Sequence, residues 1–292
     1  MTPAARRAPL PATTVVVAGY GVITAGILPH LAALPSLRVA LTSRHLDRAP
    51  HGQVPLISPD DIPAGRPRVI VGCFEDDTRS RGFWGHPKVV AAIRAERPAC
   101  IELSTITPDQ AVRWHHEVTA LGGAAWECPV TGSRPAAEAG TLSAFLHASG
   151  PSTAADEVLA AFTRNRYEFG RPGNPARFKL VFNAWGASLL HAAAVFARCL
   201  PDLLGPDYPT AAKVVTSDGW MAALADQKLH RIVSRAYEDP DFAVHHMVKD
   251  LRYARALLGD LPPLAAALDA FVAAEELHGP YADFTAVADP GR

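Results

Sequence analysis

At 292 residues the chain has room for two domains of ordinary size and a large buried core. Its 28 basic and 29 acidic residues nearly cancel, to a net charge of -1, which leaves no basic excess for nucleic acid and no charged binding tail. Four well-separated cysteines without a CxxC pair exclude a disulfide scaffold or a zinc ribbon, and are expected as reduced thiols of a cytoplasmic protein.

Residues 1–12 carry two arginines but no apolar run, so a disordered lead-in is expected and not a targeting peptide. Thr14–Ala18 (TVVVA) then reads as a buried strand, followed by Gly19-Tyr20-Gly21 and a helix over Ile23–Leu34. Strand, glycine turn and helix is the context of a dinucleotide fingerprint. Gly19 permits the tight turn, and Gly21 lets backbone N–H groups of Tyr20, Val22 and Ile23 approach a pyrophosphate. The third glycine of GxGxxG is missing. Thr24 stands there, which should loosen helix–strand packing slightly.

Leu37–Thr42 reads as the second strand, followed by Ser43-Arg44. An acid here would take the ribose 2′-hydroxyl of NAD; a hydroxyl and a guanidinium suit a 2′-phosphate instead, with Arg48 assisting. NADP is therefore favoured over NAD. Arg68–Phe74 is a third strand whose end brings Cys73 and Phe74 to the cofactor edge, ahead of a loop from Glu75 to Thr78. A helix over Pro87–Arg94, a strand over Cys100–Leu103, a helix over Asp109–Leu121 and strands over Ala124–Val130 and Thr141–Ala148 follow, then a helix over Ala154–Thr163. The alternation predicts an α/β fold, a doubly wound parallel sheet.

From Leu180 to Ala197 the chain has no Asp, Glu, Lys or Arg, which predicts a helix apolar and buried on nearly every side. Asn183, Ser188 and His191 interrupt it and its flanks are ordinary soluble sequence, so it reads as a core wall between two halves, not a membrane span. Lys179 and Asn183 lie one turn apart on one face, and should line a cleft. Ala222–Val233, Phe242–Leu258 and Pro263–Leu277 look helical. No zinc or calcium spacing occurs, and neither His115-His116 nor His245-His246 makes a metal site alone.

Six segments in order resemble the β-hydroxyacid dehydrogenase family, the group of 3-hydroxyisobutyrate dehydrogenase. They are Gly19-Tyr20-Gly21; Glu102 to Pro108, like D-x-S-T-x-x-P; Cys128 to Leu142, like A-P-V-S-G-G…A-x-x-G-T-L; Lys179 and Asn183, like K-x-x-x-N; Phe242 to Asp250, ending in K-D; and Asp283-Phe284-Thr285-Ala286. The resemblance implies an N-terminal Rossmann domain over 13–172, then an interdomain helix and an all-helical C-terminal domain over 173–292, often dimerised.

It further implies that Lys179 acts as general acid/base and Asn183 orients the substrate oxygen. Thr131, Gly132 and Ser133 would bind the substrate carboxylate, Ser104 would sit by the nicotinamide ribose, and Lys249 would reach the cofactor. Ser133 replaces a glycine of the family, Pro175 replaces another, and Ala184 replaces an asparagine. Trp185, Trp220 and Met221 either widen the pocket with aromatic surface or belong to the core. The expected activity is NADPH-dependent reduction of a small semialdehyde, or its reverse, in a homodimer free of nucleic acid and membrane. An imine reductase and a cofactor-binding protein without turnover are the alternatives.

Overall fold

The computed structural model describes residues 13–44, 46, 50, 54–219 and 222–289; the expected lead-in 1–12, Arg48, Trp220 and Met221 lie outside the described residues. The chain divides into two units, up to Ala176 and from Arg177 onward, where the sequence reading sets the division after residue 172.

In the first unit, β1 (Thr13–Ala18), α1 (Val22–Ala32) and β2 (Leu37–Thr42) form the opening βαβ. A 3-10 turn over Pro59–Gly65 precedes β3 (Val69–Gly72), α2 (Asp77–Trp84) and α3 (Pro87–Glu96). Next come β4 (Ala99–Glu102), α4 (Pro108–Ala120), β5 (Ala124–Glu127), β6 (Val130–Thr131), α5 (Ser133–Glu138), β7 (Leu142–Ala148), α6 (Thr153–Ala160) and β8 (Thr163–Glu168). The sheet runs β2-β1-β3-β4-β5-β7-β6, with β8 on β7.

Side chains alternate across this sheet, as strand geometry requires. Val15, Val17, Val69, Val71 and Ile101 pack on one face with Ile27, Leu28 and Leu31 of α1 and Leu159 of α6. Val16, Ile70, Cys100 and Ala125 pack on the other with Trp84, Ile93 and Trp114. Each such aliphatic side chain contributes about 1.5–3 kcal/mol by leaving water.

Several expectations need correction. Only β2, β1, β3, β4 and β5 form the continuous parallel part; β7 is antiparallel to both β5 and β6. The single strand expected over Ala124–Val130 breaks in two around Cys128 and Pro129, since proline has no N–H for a ladder. The helix expected to Thr163 stops at Ala160, and β8 follows as a largely exposed, charged strand. The loop expected over Glu75–Thr78 ends early, because Asp76 accepts from Arg79 N at 2.8 Å and starts α2.

The long helix α7 (Asn174–Leu204) carries the chain into the second unit, followed by α8 (Tyr208–Ser217), α9 (Ala222–Ser234), α10 (Val244–Leu258) and α11 (Pro262–His278). Leu180, Ala184, Ala187, Leu190 and Ala194, at helical spacing, form a core with Met247, Leu251, Leu268 and Phe271. Pro175 costs α7 nothing, since the first turn has no partner for its missing N–H. Asp283, fully buried, accepts from Asp241 N, Thr285 N and Thr285 Oγ1, and so ties the closing segment to the residues before α10.

The expectation that α7 is buried on nearly every side is overturned. Phe178, Phe182, Trp185, Leu189 and Phe196 are exposed, Trp185 by 68%. Trp185 is therefore not core, and Ala184 fills the inner face instead. By length and composition the Asn174–Ser217 run could cross a membrane, and 39% of its most apolar window is buried in protein.

Candidate functional site

The order of the sheet reverses between β1 and β3, and ligands of open α/β sheets gather at such a point. The turns after β1, β2 and β3 meet there: Gly19 N donates to Thr42 O and Cys73 N to Ala18 O, each at 2.9 Å. Gly19 has φ +89°, and a Cβ on it would lie 2.1 Å from the Cys73 carbonyl oxygen. No side chain caps α1 at Gly21, and its first turn holds no acid, whereas α2, α4 and α6 are capped by Asp76, Thr107 and Ser152. Uncapped N–H groups at the positive end of a helix dipole fit a pyrophosphate, so the residues present suit a dinucleotide.

Tyr20, Val22 and Ile23 are half-buried around this turn, as are Ser43, Cys73 and Phe74, while Arg44 is exposed directly after β2. Thr24 is buried, with no hydrogen-bond partner for its hydroxyl among the described residues. The close approach that a third glycine would give is made two residues later. A Cβ on Gly26 would lie 2.7 Å from that of Ala137, where α1 packs on α5.

Ser104, expected beside the ribose, is only 4% exposed, and its hydroxyl is engaged within the fold. It donates to Glu102 and accepts from Phe74 N at 2.6 Å. Toward a ligand it can therefore only accept. Glu102 was visible in the sequence only as the acid opening the D-x-S-T-like segment, with no role of its own, although an acid closing the apolar strand Ala99–Glu102 signals buried donors.

Thr131 ends β6 opposite Ser143, and Gly132 takes φ +130°, where a Cβ would lie 2.5 Å from that of Ala136. Ser133 then adopts φ +56°, a left-handed conformation that disfavours a side chain. The glycine that Ser133 replaces suits that conformation. Ser133→Gly should thus raise stability by about 1 kcal/mol, read as a melting point some 2–4 °C higher. An unchanged or lower melting point would refute the strain.

In the second unit, Lys179 and Asn183 share a face of α7 and are 6% and 8% exposed. Asn183 Nδ2 donates to Asp250 Oδ2 at 2.6 Å, which fixes the amide's orientation. Lys249 Nζ lies 2.9 Å from the other oxygen of Asp250, close enough for an ion pair but without hydrogen-bond alignment at that oxygen. Burial lowers the Lys179 pKa to about 8; Asp250 opposes the shift and Lys249 reinforces it. His246, one turn before Lys249 on α10, is held neutral by burial, by His245 and by Lys249. A buried lysine that can hold or release its proton near neutrality, beside a fixed amide, can serve a carbonyl and its alcohol. Asp250, which links Asn183 to Lys249, was visible in the sequence only as part of the K-D pair. Among the described residues no group of three or more His, Cys, Asp or Glu could hold a metal ion.

The NAD binding domain of 6-phosphogluconate dehydrogenase matches residues 40–168 as a family model. Glyoxylate/succinic semialdehyde reductase 1 of Arabidopsis thaliana is 29% identical over 197 residues, 65% of this chain and 66% of that protein. The match thus spans just under two thirds of that relative, and 42% of another, the cytokine-like nuclear factor N-PAC of Xenopus tropicalis, which is 26% identical over 75% of this chain. Among solved structures, 3-hydroxyisobutyrate dehydrogenase of Salmonella typhimurium superposes with a TM-score of 0.75 at 23% identity, covering 94% of this chain and 99% of that one. Psf3, solved with NADP+ and 2-OPP, gives 0.78 at 23%, covering 94% and 98%. With its Rossmann-like first unit, long helix and helical second unit, the chain shares the fold of these solved structures, and its residues 40–168 match the NAD binding domain of 6-phosphogluconate dehydrogenase.

Proposed function

We propose that the protein is an NADPH-dependent reductase of a small semialdehyde, or the reverse β-hydroxyacid dehydrogenase, working as a cytoplasmic homodimer. The observation that carries this reading is Lys179, buried with a pKa of about 8 on the same helix face as Asn183. The nicotinamide, when bound, supplies or takes the hydride. Lys179 gives its proton to the oxygen of the reduced carbonyl, and as a neutral amine takes it back in oxidation. Asn183, its amide turned by Asp250, holds that oxygen with its second N–H. Thr131, Gly132 and Ser133 take the carboxylate, and Lys249 takes an anionic group of the cofactor.

The test is NADPH oxidation with methylmalonate, tartronate and succinate semialdehydes, glyoxylate and a few cyclic imines, each repeated with NADH. Turnover of a carboxylated aldehyde supports the reading. Turnover of imines alone refutes it in favour of an imine reductase, and tight NADPH binding without any turnover favours a binding protein.

The preference for NADP rests on Ser43 and Arg44, which follow β2 beside the Gly19 turn. Arg44→Ala is expected to weaken NADPH binding about tenfold, the worth of a charge-assisted hydrogen bond, and to leave NADH binding unchanged. Equal losses for both would remove the 2′-phosphate from Arg44.

The homodimer rests on the exposed stripe of α7, a row of large apolar side chains that water alone covers poorly. Trp185→Glu with Phe196→Glu should turn a dimer into a folded monomer, since burying unpaired carboxylates costs several kcal/mol. Sedimentation of the unaltered protein as a monomer would sink the assignment. The four cysteines, none in a disulfide, suit the reducing cytoplasm.

A further inference from the structure

Glu102 ends β4 fully buried, and its carboxylate collects four donors. Oε1 accepts from Ser104 N at 3.0 Å and from Ser104 Oγ at 2.5 Å; Oε2 accepts from Ser80 Oγ at 2.6 Å and Trp84 Nε1 at 2.7 Å. Four donors match the four lone-pair sites of an ionised carboxylate. Burial pushes its pKa up, and all four hydrogen bonds push back.

The two oxygens serve different segments. Oε2 holds α2, through Ser80 and Trp84. Oε1 holds Ser104, whose own oxygen accepts from Phe74 N. The Cys73–Phe74 segment is thereby pinned on one side by Ser104 and on the other by Ala18 O, with the Cys73 carbonyl against Gly19. A second acid repeats the tie further along, Asp77 accepting from Thr107 N at 2.8 Å and from Thr107 Oγ1 at 2.5 Å.

We infer that Glu102 is a positioning residue for the dinucleotide: through Ser104 it sets the Cys73–Phe74 segment against the Gly19 turn. The inference rests on the proposed cofactor site at that turn. Glu102 itself touches no ligand. Its Ser104 arm serves binding and its Trp84 arm serves stability, so the two arms separate in variants.

Ser104→Ala, Trp84→Phe, Glu102→Gln and the Glu102→Gln/Trp84→Phe pair would be compared by thermal unfolding, NADPH fluorescence titration and amide exchange at Phe74. Ser104→Ala and Trp84→Phe each lose a buried hydrogen bond, so both should melt lower. Only Ser104→Ala should also weaken NADPH about tenfold and speed Phe74 exchange by a similar factor, the worth of one good hydrogen bond. Glu102→Gln presents an amide N–H₂ to the Trp84 N–H, which cannot turn round. Removing that N–H in the pair should recover folding and near-normal NADPH affinity through the retained Ser104 arm. Unchanged NADPH affinity in Ser104→Ala, or an equal loss in Trp84→Phe, would overturn the positioning role. If the unaltered protein binds neither NADPH nor NADH while Phe74 exchange still responds, the cofactor site itself falls. Glu102 is then a packing acid and nothing more.

Discussion

Lys179→Ala is expected to lower kcat of the proposed reaction by about 10²–10⁴-fold, the usual worth of a placed acid or base. NADPH affinity should stay within about twofold, because the lost interaction forms only as charge develops on the substrate oxygen. The pH dependence gives the sharper test. Reduction needs the ammonium, so kcat should fall as pH rises through about 8. Oxidation needs the neutral amine, so its rate should climb over the same interval and level off above it. The inflection lies near 8 because burial strips water from the charged form, while Asp250 limits the drop. Asp250→Asn should therefore move the inflection lower, and Lys179→Arg, permanently charged, should abolish it. An inflection that survives in Lys179→Arg would assign the proton to another group.

What the sequence disclosed, and what it hid, follows from the range of the forces involved. The β1–Gly19–α1 unit and β2 are written locally, in β-branched runs and a glycine that must turn, so their positions were readable to within two residues, the helix ending at Ala32 and not at Leu34. The Lys179/Asn183 pair was readable because a spacing of four is one helical turn. β8 was not, because a charged, mostly exposed strand shows no apolar alternation; what holds it is its ladder with β7. Nor was α5, six residues long and entered through two positive-φ residues. The roles of Glu102 and Asp250 stayed hidden for a different reason. Each is defined by partners far along the chain, Ser80 and Trp84 for the first and Asn183 for the second. The outward face of α7 misled through composition, since an exposed apolar stripe reads the same in sequence as one that a core buries.

The glycine turn yields the other large effect, and its two glycines are expected to fail differently. Gly19→Ala places a Cβ at φ +89°, 2.1 Å from the Cys73 carbonyl oxygen. Both atoms are backbone-fixed, so β1 or β3 must shift, and left-handed strain of about 1–2 kcal/mol adds to the clash. A loss on the order of 3 kcal/mol in stability is expected, together with loss of dinucleotide binding. Gly21 has an extended φ of -133°, and a Cβ there would meet nothing within 4 Å. Gly21→Ala should therefore fold almost as well as the unaltered protein. If a pyrophosphate lies against the N-terminus of α1, however, that methyl group occupies the space the phosphates need, and NADPH affinity should fall about 100-fold, or roughly 2.8 kcal/mol. The contrast separates fold from ligand: one substitution breaks both, the other only binding. Normal NADPH affinity in a well-folded Gly21→Ala would take the pyrophosphate off this turn, leaving Gly19 as a requirement of β1–β3 packing alone.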